Sequence, residues 1–206
     1  MYWRMGGGIF KDYFEFRMVN FEFIYKPIMR IIPPPVEGEY PPYAIMYMKL
    51  IPTDGLILKH LWDNFLMVKD LIYSLPEEKL YYRYAPGKWS IKEVLVHIVD
   101  DERIFSYRAM RFARNEQNNL IGFDQDSYAH YSDADNRDLD NIFEEYEAVR
   151  KSTIALFNGL PEESPTRMGN GTGTFNDATV RALAYHIAGH ELHHVNLIKE
   201  KYLSSY

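Results

Sequence analysis

Four stretches of the chain carry the apolar period of amphipathic helices, and this pattern constrains the fold more than any other feature. In the first stretch the apolar positions form one helical stripe, made of Ile57, Leu58, Leu61, Phe65, Val68 and Ile72. A helix with one apolar stripe must bury that stripe against neighbouring elements. The chain is therefore predicted to be all-α and to form a four-helix bundle. The four stretches are residues 53–75, 90–114, 137–159 and 177–202.

The ends of these stretches carry helix start and stop signals. Ser90 and Glu93 form a capping box, in which each side chain satisfies a backbone N–H of the other residue, so the second helix is predicted to begin at Ser90. The third stretch ends at Gly159, shortly before Pro161. Residues 115–136 between the second and third helices are polar and are predicted to be a long connection.

The first fifty residues differ from this helical region. Residues 1–28 combine three consecutive glycines with partly alternating aromatic and polar residues, and we expect them to lie outside the functional domain. Met29 is a candidate start residue. Residues 29–52 are rich in proline and are predicted to form an extended or wrapping arm, and residues 53–206 the bundle domain.

Composition excludes several classes of function. The formal net charge is −6, and the isoelectric point is about 5.7, whereas nucleic-acid binding favours a basic face. No stretch approaches the roughly 20 apolar residues that span a bilayer. The chain has no cysteine, so it has neither disulfides nor thiolate metal ligands, which fits a cytoplasmic location. We expect no nucleic acid and no membrane among its partners.

The fourth helix contains His190-Glu191-Leu192-His193-His194, which matches the H-E-x-x-H signature of zinc metallopeptidases. A metzincin would continue with glycine at 197 and histidine at 200, but this chain has Leu197 and Glu200. Because this context is missing, the motif does not indicate a protease.

The helical faces of the histidines indicate another use. His190 and His194 occupy the seam of the fourth helix that faces the bundle core, and His97 lies at the inward edge of the second helix. Each could be a core histidine with a satisfied hydrogen bond. Three buried imidazoles without partners are costly, however, and a divalent metal would take one nitrogen from each. The pattern favours a three-histidine metal site made of His97, His190 and His194.

Two acidic residues lie near these faces. Asp101 follows His97 by one helical turn on the same side, and Glu191 lies beside the core seam of the fourth helix. Either carboxylate is a candidate catalytic base, and either could instead orient a ligand or be a solvated charge. We predict that Asp101 orients a ligand histidine.

Three segments together resemble the DinB superfamily, close to its YfiT-like members. The resemblance covers roughly residues 36–203 and depends on Gly-Lys-Trp-Ser opening the second helix, a histidine seven residues after that serine, and H-x-x-x-H on the fourth helix. It implies an up-down-down-up bundle and a divalent metal, zinc or nickel, held by His97, His190 and His194. His186 and His193 do not match the ligand positions. The segments are "APGKWSIKEVLVHIVDDERIFSYRAMRFAR", "GFDQDSY" and "RALAYHIAGHELHHVNLIKEKY".

The resemblance implies a metal site more firmly than a reaction. Characterised members of the family mostly transfer thiols, so the leading hypothesis is a metal-dependent S-transferase that activates a low-molecular-weight thiol cosubstrate. One alternative is a metal-dependent hydrolase in which Asp101 or Glu191 is the base. Another is a non-catalytic stress protein that the metal stabilises. We expect a cytoplasmic homodimer with a small-molecule substrate.

Overall fold

The computed structural model describes residues 29–172 and 177–204. The N-terminal extension predicted for residues 1–28 lies outside the described residues, and that prediction stays open. Within the described ranges no helix has the length and the apolar character needed to cross a membrane.

Long helices dominate the described part of the chain, and the one sheet there is a two-stranded antiparallel ladder. The last long helix continues directly into a π-helical turn, Ile198–Tyr202. The helices are α1 (Ile45–Met48), α2 (Ile57–Tyr73), α3 (Glu77–Leu80), α4 (Ile91–Ala113), α5 (Gln125–Tyr131), α6 (Leu139–Asn158) and α7 (Val180–Leu197), and the strands are β1 (Met168–Gly169) and β2 (Ala178–Thr179).

The helix starts follow from local hydrogen bonds. The Ser90 hydroxyl accepts the Glu93 N–H at 3.1 Å, and the Ser90 N–H donates to the Glu93 carboxylate at 2.8 Å, so the predicted capping box is confirmed. The first long helix begins later than the sequence pattern predicts. Gly55 has φ +78°, a left-handed conformation that a helix does not continue through, and α2 therefore starts at Ile57.

Contacts along the helices define the topology. At the start of α4, Ser90 donates to Asp135 just before α6 at 2.6 Å, and further along Arg103 pairs with Glu145 at 2.8 Å, so α4 and α6 are parallel. Helix α7 packs antiparallel to α4, and α2 packs antiparallel to α6. The predicted up-down-down-up bundle is confirmed.

The connection between the two parallel helices is more ordered than its polar composition predicts. It contains α5, because the Asp124 side chain accepts the N–H groups of Asp126 and Ser127 at 3.1 and 3.3 Å and caps the helix. Leu120 forms backbone hydrogen bonds with residues 170 and 172, both at 3.0 Å. The connection and the turn before α7 therefore form one wall at the end of the bundle.

The arm of residues 29–52 packs along α7 instead of standing apart from the bundle. A Cβ on Gly189 would lie 2.4 Å from the Tyr47 carbonyl oxygen, so only glycine allows the backbones of α1 and α7 to approach this closely. The contact places Tyr43 and Tyr47 over the histidine-bearing face of α7.

Candidate metal centre

Three histidines from two helices converge in the bundle core. His97 comes from α4, and His190 and His194 lie one turn apart on α7. The His190 Nε2 atom is 3.1 Å from the Nε2 atom of His97 and 3.1 Å from that of His194. One ligand atom from each of the three lies within 4.8 Å of the others, and all three residues are buried. The structure therefore brings together the three residues predicted as metal ligands.

Burial keeps these imidazoles neutral. It lowers the pKa of His97, lowers that of His190 well below its usual range, and lowers that of His194 to about 3, with the neighbouring histidine charges adding to the effect on the last two. A neutral imidazole has a nitrogen lone pair available for a metal, so the donor set is ready to coordinate near pH 7.

The convergence of the three nitrogens fits a cation better than a hydrogen-bond chain. The His190 Nε2 atom carries either one hydrogen or one lone pair, so it cannot satisfy both neighbours at 3.1 Å. A cation between the rings would accept a lone pair from each. Three-histidine sets of this kind suit zinc and related divalent transition metals.

Asp101 lies beside the histidine cluster. One oxygen of its buried carboxylate is 3.3 Å from His190 Nδ1 and 3.6 Å from His186 Nε2, but neither contact has hydrogen-bond geometry. The ligand histidine that it approaches is therefore on α7. The Asp101 carboxylate thus lies close enough to His190 to influence the orientation of its ring, and Asp101 also lines the cavity next to His190.

Glu191 points away from the cluster into a buried ion-pair network. Its carboxylate pairs with Arg150 at 2.9 Å and accepts the Tyr146 hydroxyl, and Arg150 also pairs with Glu102 at 2.9 Å. Each of the three charged groups is at most 1% exposed. This network ties α4, α6 and α7 together behind the histidines, and it holds the Glu191 carboxylate that the sequence offered as a candidate base.

The two remaining histidines of α7 differ in their surroundings. The His186 ring stacks on Phe105 with ring centroids 3.8 Å apart, and its Nε2 atom is buried with no hydrogen-bond partner among the described residues. His193 is half-buried and packs against Tyr47. Neither joins the three-histidine set.

Aromatic side chains cover the cluster. Trp89 lies 4.7 Å from the His97 ring and stacks over His194 at 6.5 Å, while Tyr47 meets His190 edge-on at 5.5 Å. The Gly-Lys-Trp-Ser motif contains Trp89, but its spacing alone did not indicate this role. Tyr47 was missed because it lies in the arm, far from the histidines in sequence.

A cavity of about 520 Å³ opens beside His190. Its walls come from the arm, the histidine faces of α4 and α7, the connection around α5 and the turn before α7. Cavities of this size hold small organic molecules. The lining residues are Tyr43, Tyr47, Asp101, Phe105, Arg108, Gly122, Phe123, Asp124, Gln125, Thr172, His186 and His190.

Fold and site together define an up-down-down-up four-helix-bundle protein with a three-histidine candidate metal centre. The sequence profile of the DinB superfamily matches residues 58–198, which include all three histidines. The chain belongs to the DinB superfamily.

Two comparisons place the chain among known proteins. It is 27% identical over 135 residues to a protein of Oceanobacillus iheyensis named "Putative metal-dependent hydrolase OB0413", and the match covers 63% of this chain and 74% of that protein. The solved structure of YfiT from Bacillus subtilis superposes with a TM-score of 0.66 at 17% identity, covering 72% of this chain and 85% of YfiT. That structure is described as a probable metal-dependent hydrolase with an unusual four-helix bundle topology, and at this identity it supports the fold alone.

Proposed function

We propose that the protein is a metal-dependent enzyme in which His97, His190 and His194 hold one divalent transition metal, zinc or nickel. The observation that carries this proposal is the convergence of three Nε2 atoms, of which that of His190 cannot satisfy both of its neighbours. When bound, such a metal supplies Lewis-acid chemistry and lowers the pKa of a coordinated water or thiol. Three protein ligands leave positions for these groups, as catalytic sites require.

Hydrolysis of a small molecule is the reaction that the site supports best. Asp101 has a buried carboxylate oxygen without a hydrogen-bond partner among the described residues, and it lines the cavity next to His190. In a hydrolysis the Asp101 carboxylate would accept the proton of the attacking water and return it to the leaving group. The Oceanobacillus relative carries a hydrolase name, which agrees with this reading.

Thiol transfer is the second candidate. The chain has no cysteine, so any thiolate would have to come from a low-molecular-weight cosubstrate. A cavity of about 520 Å³ can hold such a thiol together with an electrophile. In that reaction Asp101 would hold the proton that the thiol loses.

The metal site is tested by metal content. Wild-type protein purified without chelator should contain one divalent metal per chain, and His194→Ala should lose most of it. His193→Ala is the matched control, because His193 is the neighbouring half-buried histidine and lies outside the three-histidine set. Equal metal content in wild type and His194→Ala would contradict the proposal.

Metal removal separates a catalytic from a purely structural site. If the metal is catalytic, chelation should leave the helical content near its starting value, because the buried core, which includes Arg150, does not depend on the metal. If the metal only stabilises the bundle, chelation should unfold the protein.

Mass analysis of products in ¹⁸O-labelled water then decides between the two reactions. Label in the product supports hydrolysis, and a thioether that forms only when thiol is added supports transfer.

Size-exclusion chromatography with light scattering tests the proposed homodimer.

A further inference from the structure

The cavity beside the histidines has a cationic end. Arg108 is 2% exposed and lines the cavity, and its guanidinium lies 4.9 Å from the Phe105 ring centroid and 6.0 Å from that of Phe123. One of its N–H groups donates to the Ile121 carbonyl at 3.1 Å. Two rings and a backbone carbonyl thus hold a buried guanidinium at the cavity wall.

Arg108 lies on the same face of α4 as Asp101, the proposed proton acceptor. Asp101, Phe105 and Arg108 follow one another at four and three residues on α4, so all three face the same side of the helix. Seven residues of helix correspond to about 10 Å of axial rise. On the α4 wall of the cavity, Phe105 therefore lies between Asp101 and Arg108.

The Arg108 guanidinium is the charged group among the described lining residues that can bind an anion. Among the described lining residues, the formal charges are those of Asp101, Asp124 and Arg108. The Asp124 carboxylate accepts two backbone N–H groups of α5, and the Asp101 carboxylate lies beside His190. His186 and Asp101 also line the cavity, and each has one buried polar atom without a hydrogen-bond partner among the described residues.

We propose that the cavity takes a small organic anion whose carboxylate or phosphate group binds Arg108, while its apolar middle lies on Phe105 and its reacting group reaches Asp101. A guanidinium fits either oxyanion through two parallel hydrogen bonds. That this anion is the substrate rests on the proposed function, whereas its binding to Arg108 does not.

Calorimetric titration of the metal-loaded full chain tests the proposal. The probes are 4-phenylbutyrate, 3-phenylpropyl phosphate and the neutral 4-phenylbutyramide, which share a phenyl group and a similar length. The wild type should bind at least one anion about 10- to 100-fold more tightly than the amide, because a hydrogen bond to a charged group contributes that much. The preferred anion identifies the oxyanion as carboxylate or phosphate. Equal affinity for anions and amide, or no anion binding at millimolar concentration, would overturn the proposal.

Variants locate the anion within the cavity. Arg108→Met should weaken anion binding by about 10- to 100-fold and leave amide binding unchanged, and Arg108→Lys should fall between it and wild type. Arg103→Met is the matched control, since it removes the same charge from an exposed position of α4 where the side chain pairs with Glu145. Equal loss in the Arg108→Met and Arg103→Met proteins would refute the assignment, as would anion binding that depends on His194 and not on Arg108.

Metal content measured on the same samples separates this inference from the proposed function. Arg108→Met should keep its metal, because Arg108 is not one of the three histidines that form the candidate metal site. A wild type that binds no metal and still shows Arg108-dependent anion binding would refute the proposed function alone. Wild type that is fully loaded with metal and does not distinguish anion from amide would refute this inference alone.

Discussion

Replacing Arg150 by methionine should remove much of the stability of the bundle. Arg150 is fully buried, and it forms ion pairs with Glu102 and Glu191, both at 2.9 Å, and also donates to the Leu61 carbonyl. Methionine fills a similar volume but leaves two carboxylates buried without their cation. Breaking a buried ion pair by removing one partner costs about 3–5 kcal/mol, and the free energy of unfolding of a domain is only about 5–15 kcal/mol.

Urea unfolding followed by circular dichroism measures this loss. Arg150→Met should lower the free energy of unfolding by about 3–5 kcal/mol. Arg103→Met should cost less than about 1 kcal/mol, because the Arg103 side chain is 50% exposed and its ion pairs are solvated. Adding Glu102→Gln and Glu191→Gln to Arg150→Met should recover part of the loss by neutralising the carboxylates.

The outcome also bears on the metal centre, because Glu191 precedes His194 by three residues on α7 and follows His190 directly. Arg150→Met should therefore weaken metal binding even under conditions where the protein stays folded. A loss of stability below about 1 kcal/mol, equal to that of the Arg103→Met control, would refute the reasoning that this network holds α7 in place.

Three further predictions concern Asp101, the protonation of the histidines and the N-terminal residues 1–28. Asp101→Asn should weaken metal affinity about 10- to 100-fold in a competition assay with a chelating dye, and an unchanged affinity would count against its orienting role. The metal-free protein should lose stability as the pH falls below about 6.5, because the histidines bind protons less readily in the folded protein than in the unfolded chain. For His194, burial lowers the pKa to about 3. Thermal melts that show the same stability at pH 7 and pH 5 would contradict this prediction. A chain that begins at Met29 should match the full chain in solubility, metal content and melting temperature, and a drop of more than a few degrees would show that residues 1–28 belong to the core.

Much of the fold could be predicted because its determinants are local in sequence. The stripe of α2 and the capping box at Ser90 each lie within a few residues, and in the structure the six stripe residues are buried and the box is formed. The histidine cluster could be predicted for a related reason. His190 and His194 are one turn apart, and the inward face of each helix follows from its apolar period.

What the sequence did not predict depends on contacts between distant segments. Arg150 sits on an amphipathic helix, where most arginines are solvated, and only the packing of three helices shows that it is buried between Glu102 and Glu191. The helix within the polar connection depends on one capping aspartate, Asp124, inside a segment dominated by turn-forming residues. The place of Tyr47 over His190 depends on the close approach at Gly189, which joins residues more than a hundred positions apart.

The arm over α7 and the long helices contribute different parts of the candidate site. The match to the DinB superfamily begins at residue 58, so the three histidines and Asp101 lie inside the matched region, whereas Tyr43 and Tyr47 come before it. The histidine cluster and one wall of the cavity are thus encoded by different segments of the chain. Substitutions in the arm can reshape the cavity without altering any histidine or any packing between the four long helices.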